Sequence, residues 1–348
     1  MKRQGLILFL ISLVIFGTSC TENYEFEKGI VGIYMVADAN SKIIGQEVSL
    51  EVKTEDGEDI TNLTQIYVNG ELMSSPSFST DEVGSYKFKA VYENVETQIL
   101  EVEYHDGSET FFKKRVLVED YTGTWCGWCP RISYALGLVE EQTDDAVLVA
   151  IHRAPSGTSD PYTYDDADEL ELLINTPGYP KGFINRLTQW NFPEPDNISQ
   201  VIGFTQGSSP KLGLKINSQL DDNTVNLDVE ALFASDYSNL KLVVYVLENG
   251  LVYPQVNYTS FYNTNPIPDY VHNHTLRNTL TNIIGDVINS SLTQRGMTFS
   301  KNFNFQIPEN ITDIENVEFV AFLTDEEGHV LNVRKSVINE NQEFELLE

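Results

Sequence analysis

Basic residues are scarce in this sequence: 22 Lys and Arg stand against 52 Asp and Glu, a formal net charge of -30. Binding a nucleic-acid backbone requires Lys and Arg to displace its counterions, so the imbalance excludes nucleic acid as a partner. The same field repels anionic lipid, so membrane attachment has to come from an anchor rather than a basic patch. Cysteine is scarcer still, with three at positions 20, 126 and 129. A count that low excludes a disulfide scaffold. The apolar run at residues 6–16 is too short to span a bilayer as a helix and no later run reaches the needed length, and no repeat or low-complexity tract is visible. What is present, 41% hydrophobic with 11% aromatic residues, is a globular composition long enough for two or three domains.

Lys2 and Arg3 precede the apolar run, and Gly17, Thr18 and Ser19 lead directly into Cys20. This is the layout of an export signal over residues 1–19. The cysteine after small residues resembles the lipobox of bacterial lipoproteins, although Gly17 stands where that motif usually has Leu. The resemblance implies cleavage before Cys20, lipidation of its side chain and a lipid-anchored tether over residues 20–28. An ordinary signal peptide with an incidental cysteine is the alternative.

Residues 29–106 alternate apolar and polar in the manner of strands, separated by turn signals at 55–57, 68–70 and 83–84. An N-terminal immunoglobulin-like β-sandwich is expected there. The rhythm changes over residues 110–204, where strand, helix, strand, helix and strand succeed one another. Helices are expected at 130–142, 165–174 and 196–204, and the run 146–151 is apolar enough for a strand buried on both faces. That order implies a central α/β layer. Alternation returns over residues 210–348, giving a C-terminal β-sandwich and a mixed multidomain chain.

If Cys20 carries lipid, Cys126 and Cys129 form a pair. A strand over 114–118 feeds this Cys-Gly-Trp-Cys, and Pro130, tolerated in the first turn of a helix, opens the next element. Placement at a helix mouth favours a thiolate, because the terminal amides and the dipole stabilise negative charge. The two-residue spacer lets the second thiol resolve a mixed disulfide, with Cys126 attacking and Cys129 resolving. Half a zinc site is the rival reading. Zinc needs further soft ligands, and only five histidines remain.

These residues resemble the thioredoxin superfamily, whose Trp-Cys-x-x-Cys is matched by Trp125 to Cys129. The resemblance implies a central α/β thioredoxin-like domain over 110–204. It assigns Asp120, six residues before Cys126, the part of a buried acid exchanging protons with the resolving thiol, with Glu119 as the competing candidate. Gly178-Tyr179-Pro180 fits the family's cis-proline element, with Pro177 as the competitor. Trp125, Trp128 and Tyr179 would line the substrate groove. The Gly127-Trp128 spacer departs from the Gly-Pro of reducing members, which leaves the direction of electron flow open.

Several stretches together, Cys20 with its approach, 119–123, 126–130, 178–186 and 270–277, resemble the outer-membrane lipoprotein family named for its 28-kDa member. That likeness implies outer-membrane attachment, facing either the periplasm or the surface, and a role as adhesin or receptor. His272 and His274 lie two apart and could share a strand face, with structural hydrogen bonding as the plainer role and no metal expected. The loop aromatics Tyr253, Tyr258, Phe261 and Tyr262 suit either recognition or loop packing. The expected function is thiol-disulfide exchange by an anchored envelope protein without cofactor, its partners being protein thiols and disulfides or a membrane electron donor. The alternative is a binding lipoprotein for host or surface ligands in which the disulfide is a brace.

Overall fold

A computed structural model describes residues 32–175 and 178–347. The expected signal peptide, Cys20 with its tether, and Pro177 lie outside the described residues.

Near the N-terminus the strict alternation of Val48–Thr54 buries Val48, Leu50 and Val52 and leaves Ser49 and Glu51 in solvent. This strand pairs with Ile33–Ala37 and Ser77–Phe78. A second sheet runs Ser41–Ile43, Leu100–His105, Gly84–Tyr92, Gln65–Val68 and Glu71–Leu72. Between the two lies a core that includes Val52, Phe88, Val102 and Tyr104.

The largest element is a nine-stranded sheet. Its order is Thr188–Gln189, Lys181–Ile184, Val116–Thr122, Ala146–His152, Thr275–Thr279, Lys241–Glu248, Val317–Thr324 and Val330–Val337, with Asp286–Val287 also paired to Lys241–Glu248. The continuous apolar runs become its central strands because both faces are covered. On one face Val116 and Val118 pack beneath helices α1 (Pro130–Glu140) and α3 (Ile198–Thr205). On the same sheet Leu242, Val244 and Val246 meet Leu214, Leu227 and Val229 of a separate three-stranded sheet formed by Leu212–Asp221, Thr224–Phe233 and Thr298–Gln306.

The expected mixed multidomain fold with a central α/β thioredoxin-like domain is contradicted. The described residues are 13% helix and 42% strand, and the expected second helix reduces to a short 3-10 turn, Asp165–Ala167, followed by the six-residue α2 (Asp168–Leu173). The strand before the cysteines belongs to a sheet that continues into the C-terminal half. Ala146–His152 pairs in parallel with Val116–Thr122 on one side and meets Thr275–Thr279 on the other, where the Ala150 amide donates to the His274 carbonyl at 2.8 Å. The physical reason is edge satisfaction. A strand buried on both faces must also pair its backbone on both edges, and the apolar pattern of 146–151 is silent about which distant strand does so.

Candidate functional site

The loop after Val116–Thr122 carries Cys126 and Cys129, which are joined as a disulfide with a Cα–Cα distance of 5.4 Å. Pro130 occupies the first turn of α1, where no amide is required. Cys129 is 1% exposed and Cys126 is 5% exposed, so Cys126 is the more accessible sulfur.

Strand alternation divides the two candidate acids. Leu117 and Tyr121 face the core beneath α2, and Glu119 lies with them. Its carboxylate accepts from the Tyr121 hydroxyl at 3.0 Å, from the Tyr245 hydroxyl at 3.2 Å and from Arg186 at 3.1–3.3 Å. Asp120 follows Val118 onto the opposite face, the one that carries the cysteine helix. Both of its carboxyl oxygens are buried and lack a hydrogen-bond partner among the described residues. Burial first, then the nearby Glu194, push the Asp120 carboxyl well above the usual range, against a smaller opposing pull from Arg131.

This shift has a consequence for stability. The folded chain holds the Asp120 proton more tightly than the unfolded chain does. Wild type therefore has the full benefit below the ordinary carboxylate value of 3.8 and loses it as pH rises through the raised folded value. Asp120→Asn lacks this component. Thermal unfolding of both proteins across pH is expected to show the variant gaining on wild type above about pH 4. A stability difference that stays constant across that range would contradict it.

Tyr179-Pro180 is a cis peptide directly before Lys181–Ile184, which pairs with Val116–Thr122. Tyr179 is placed against Trp125, ring centroids 5.6 Å apart and edge to face, and its hydroxyl donates to Glu171. Trp125 donates its indole N–H to the Arg153 carbonyl at 2.7 Å. The structure thus sets Trp125 of the cysteine loop against Tyr179, the residue that precedes the cis Pro180. Trp128 stands apart, 53% exposed, with its edge toward Tyr258 at 5.9 Å.

A feature outside the sequence reading is a strap from the C-terminal half, residues 253–270, laid along the cysteine loop. The Val256 amide donates to the Thr124 carbonyl at 2.9 Å and the Tyr258 amide to the Gly127 carbonyl at 2.7 Å. The buried Gln255 side chain donates to the carbonyls of Cys126 at 3.0 Å and Gly123 at 3.3 Å. Gly127 is required here, because a Cβ at that position would collide with the Tyr258 ring. Farther along, Phe261 stacks on Tyr134 of α1 at 4.4 Å. The sequence signal for it is the cluster of loop aromatics from Tyr253 to Tyr262, whose packing partner no local pattern identifies.

His272 and His274 diverge. His272 Nε2 lies 3.1 Å from the Tyr253 carbonyl, and burial, with His152 beside it, holds its imidazole down at about 4. His274 takes a left-handed backbone and reaches Glu140 at 3.1 Å and Glu318 at 3.7 Å. Burial works against its charge, but these carboxylates outweigh burial and raise it. Among the described residues no three His, Cys, Asp or Glu side chains gather as a metal site, and no helix is long and apolar enough to cross a membrane.

No curated protein matches the chain. Among solved structures, HBP35 of Porphyromonas gingivalis is similar over 66% of this chain and 77% of its own, at 20% identity and a TM-score of 0.53, a likeness of β-rich fold alone. A protein of Agrobacterium tumefaciens aligns with 65% of this chain and 96% of its own at 14% identity, with a TM-score of 0.39 too low to carry an argument. The family model described as outer membrane protein Omp28 matches residues 167–342, half of the chain. That span contains Pro180, Arg186 and the strap but begins after the cysteines. The chain belongs to the Omp28 outer membrane protein family, and its place is the outer membrane of the cell envelope.

Proposed function

We propose that this outer-membrane protein is a lipoprotein anchored through Cys20 and that Cys126 and Cys129 carry out thiol-disulfide exchange with protein partners. The observation that carries the reading is the pairing of a disulfide at the mouth of α1 with a buried, unpartnered Asp120 on the sheet face beneath that helix. Elsewhere this carboxyl would be a liability, since burying a polar group without partners is costly. Here its raised proton affinity suits it to serve the thiol pair.

In the direction that oxidises a partner dithiol, a partner thiolate attacks Cys126 Sγ and the Cys126–Cys129 bond breaks. The electron pair leaves on Cys129 Sγ, which takes the Asp120 proton. A second partner thiolate then attacks the partner sulfur of the mixed disulfide, forming the partner's disulfide and releasing Cys126 as thiolate. The partner is oxidised by two electrons and the cysteine pair reduced by two; the reverse order oxidises the pair's own thiols.

Exchange rates measured against pH for wild type and Asp120→Asn test the acid's part. Wild type is expected to show an inflection above the ordinary carboxylate range that the variant lacks, with a rate loss on the order of 100-fold. Superimposable profiles would remove Asp120 from the chemistry.

The strap favours a second reading, a binding protein in which the disulfide is a static brace. Main-chain bonds from Val256 and Tyr258 and the side chain of Gln255 hold the cysteine loop as they would any structural turn.

A further inference from the structure

Sheets protect their long edges, because a row of free amides and carbonyls recruits another strand. In the three-stranded sheet one edge, Leu212–Asp221, is covered by the chain's own C-terminal segment. The Ser218 amide donates to the Glu340 carbonyl at 2.9 Å, and the Ile216 and Leu220 amides donate to the side chains of Gln342 at 3.1 Å and Asn339 at 2.8 Å. The opposite edge, Thr298–Gln306, is nine residues long and, among the described residues, pairs with Thr224–Phe233 alone. We infer that this edge joins a second copy of the chain, the two strands running antiparallel about a two-fold axis at Asn302.

The backbone shows which groups are free. The Met297 carbonyl accepts from the Phe233 amide at 3.1 Å, and the Ile307 amide donates to the Asn223 carbonyl at 2.9 Å. Inward bonding alternates along an antiparallel strand, so the odd-numbered residues between these two bond toward Thr224–Phe233. The amides and carbonyls of Thr298, Ser300, Asn302, Asn304 and Gln306 therefore point away from the sheet, and all of these residues are exposed. No register shift interrupts the row, and the strand contains neither Pro nor Gly.

Charge and self-complementarity favour a second copy over an unrelated strand. Residues 287–308 hold no Asp or Glu in a chain that has 52, so two copies can meet here with little of the repulsion that a net charge of -30 imposes elsewhere. About a two-fold at Asn302, Ser300 faces the second copy's Asn304 and Thr298 faces its Gln306, polar against polar on the outer face. On the inner face Phe299 opposes the second copy's Phe305, and Lys301 opposes its Phe303 rather than another lysine. Aromatic pairs and cation–π contacts of this kind stabilise neighbouring strands. Phe299, Phe303 and Phe305 already pack half-buried against the core between the sheets, and an added strand covers more of their apolar surface. Each facing pair of outward residues also exchanges two main-chain hydrogen bonds, the source of affinity in strand addition.

The interface stands independently of thiol exchange. Sedimentation equilibrium of the full chain in density-matched detergent is expected to show a dimer. Asn302→Pro removes an outward amide that the fold does not use, a change edge strands tolerate, and is expected to weaken the dimer at least about ten-fold. Asn302→Lys sets like charges directly opposite each other at the two-fold, while its ammonium can still pair with Asp228, which the Asn302 side chain reaches at 2.9 Å. A comparable loss is expected from it, and thermal unfolding confirms that both variants are folded. Oxidation reads the register. Asn302→Cys places two thiols on facing residues with Cα atoms about 5.5 Å apart, within disulfide reach, and is expected to give a cross-linked dimer that Ser300→Cys does not. A monomeric wild type, a dimer unchanged by both substitutions of Asn302, or equal cross-linking from positions 300 and 302 would each overturn the inference.

Discussion

Cys126→Ser is expected to abolish thiol-disulfide exchange, leaving only the background rate of the reagents. Cys126 is the more exposed sulfur and lies three residues before Cys129, the N-cap of α1, at the end of the helix whose amides and dipole favour a thiolate as attacking and leaving group. Serine keeps the shape but ionises too weakly to replace it. The fold should survive, because a bridge between residues three apart constrains a very small loop of the unfolded chain and contributes at most about 2 kcal/mol. Exchange measured with a protein dithiol, alongside thermal unfolding, separates the two effects. Equal rates for variant and wild type would leave the disulfide as a brace.

Arg186→Met is expected to destabilise the fold by about 3–5 kcal/mol. Arg186 and Glu119 are an enclosed ion pair, with side chains 0% and 1% exposed. Arg186 also donates to the Tyr245 hydroxyl and to the Ile283 carbonyl, and lies 4.8 Å from the centre of the Phe322 ring. Methionine fills much of the volume but strands the Glu119 carboxylate in a dry core. Adding Glu119→Gln should recover part of the loss, since the double variant no longer buries an unpaired charge. Denaturant unfolding of both single variants and the double variant measures this coupling. An additive result would show that the pair does not act as a unit.

The cysteine motif was the most legible part of the sequence, because its signals are local. Val116–Thr122, the Cys-x-x-Cys spacing and Pro130 lie within a few residues of one another, and the strand and helix form where those signals fall. The division between Asp120 and Glu119 was half legible. Alternation requires adjacent residues to face opposite ways, but only the tertiary partners decide which face is which, and Arg186, Tyr245 and Ile283 come from far along the chain. The fold class was misread for the same reason. Thr275–Thr279 joins the edge of Ala146–His152 across more than a hundred residues, and no periodicity encodes such a pairing. The strap was hidden likewise. Gln255 and Tyr258 make sense only against the carbonyls of Cys126 and Gly127, while in the sequence they read as an aromatic loop between Pro and Asn residues.

The proposal that Cys126 and Cys129 exchange with protein partners is tested most directly by trapping in the native membrane. With Cys129→Ser the resolving thiol is absent, so a partner attached to Cys126 should accumulate as a mixed disulfide. Non-reducing electrophoresis of the membranes is expected to show discrete, higher-mass adducts that collapse on reduction and are absent from Cys126→Ser. A Cys129→Ser protein that migrates only as the unmodified chain, while the wild-type pair stays oxidised throughout growth, would contradict the account and establish the disulfide as a brace.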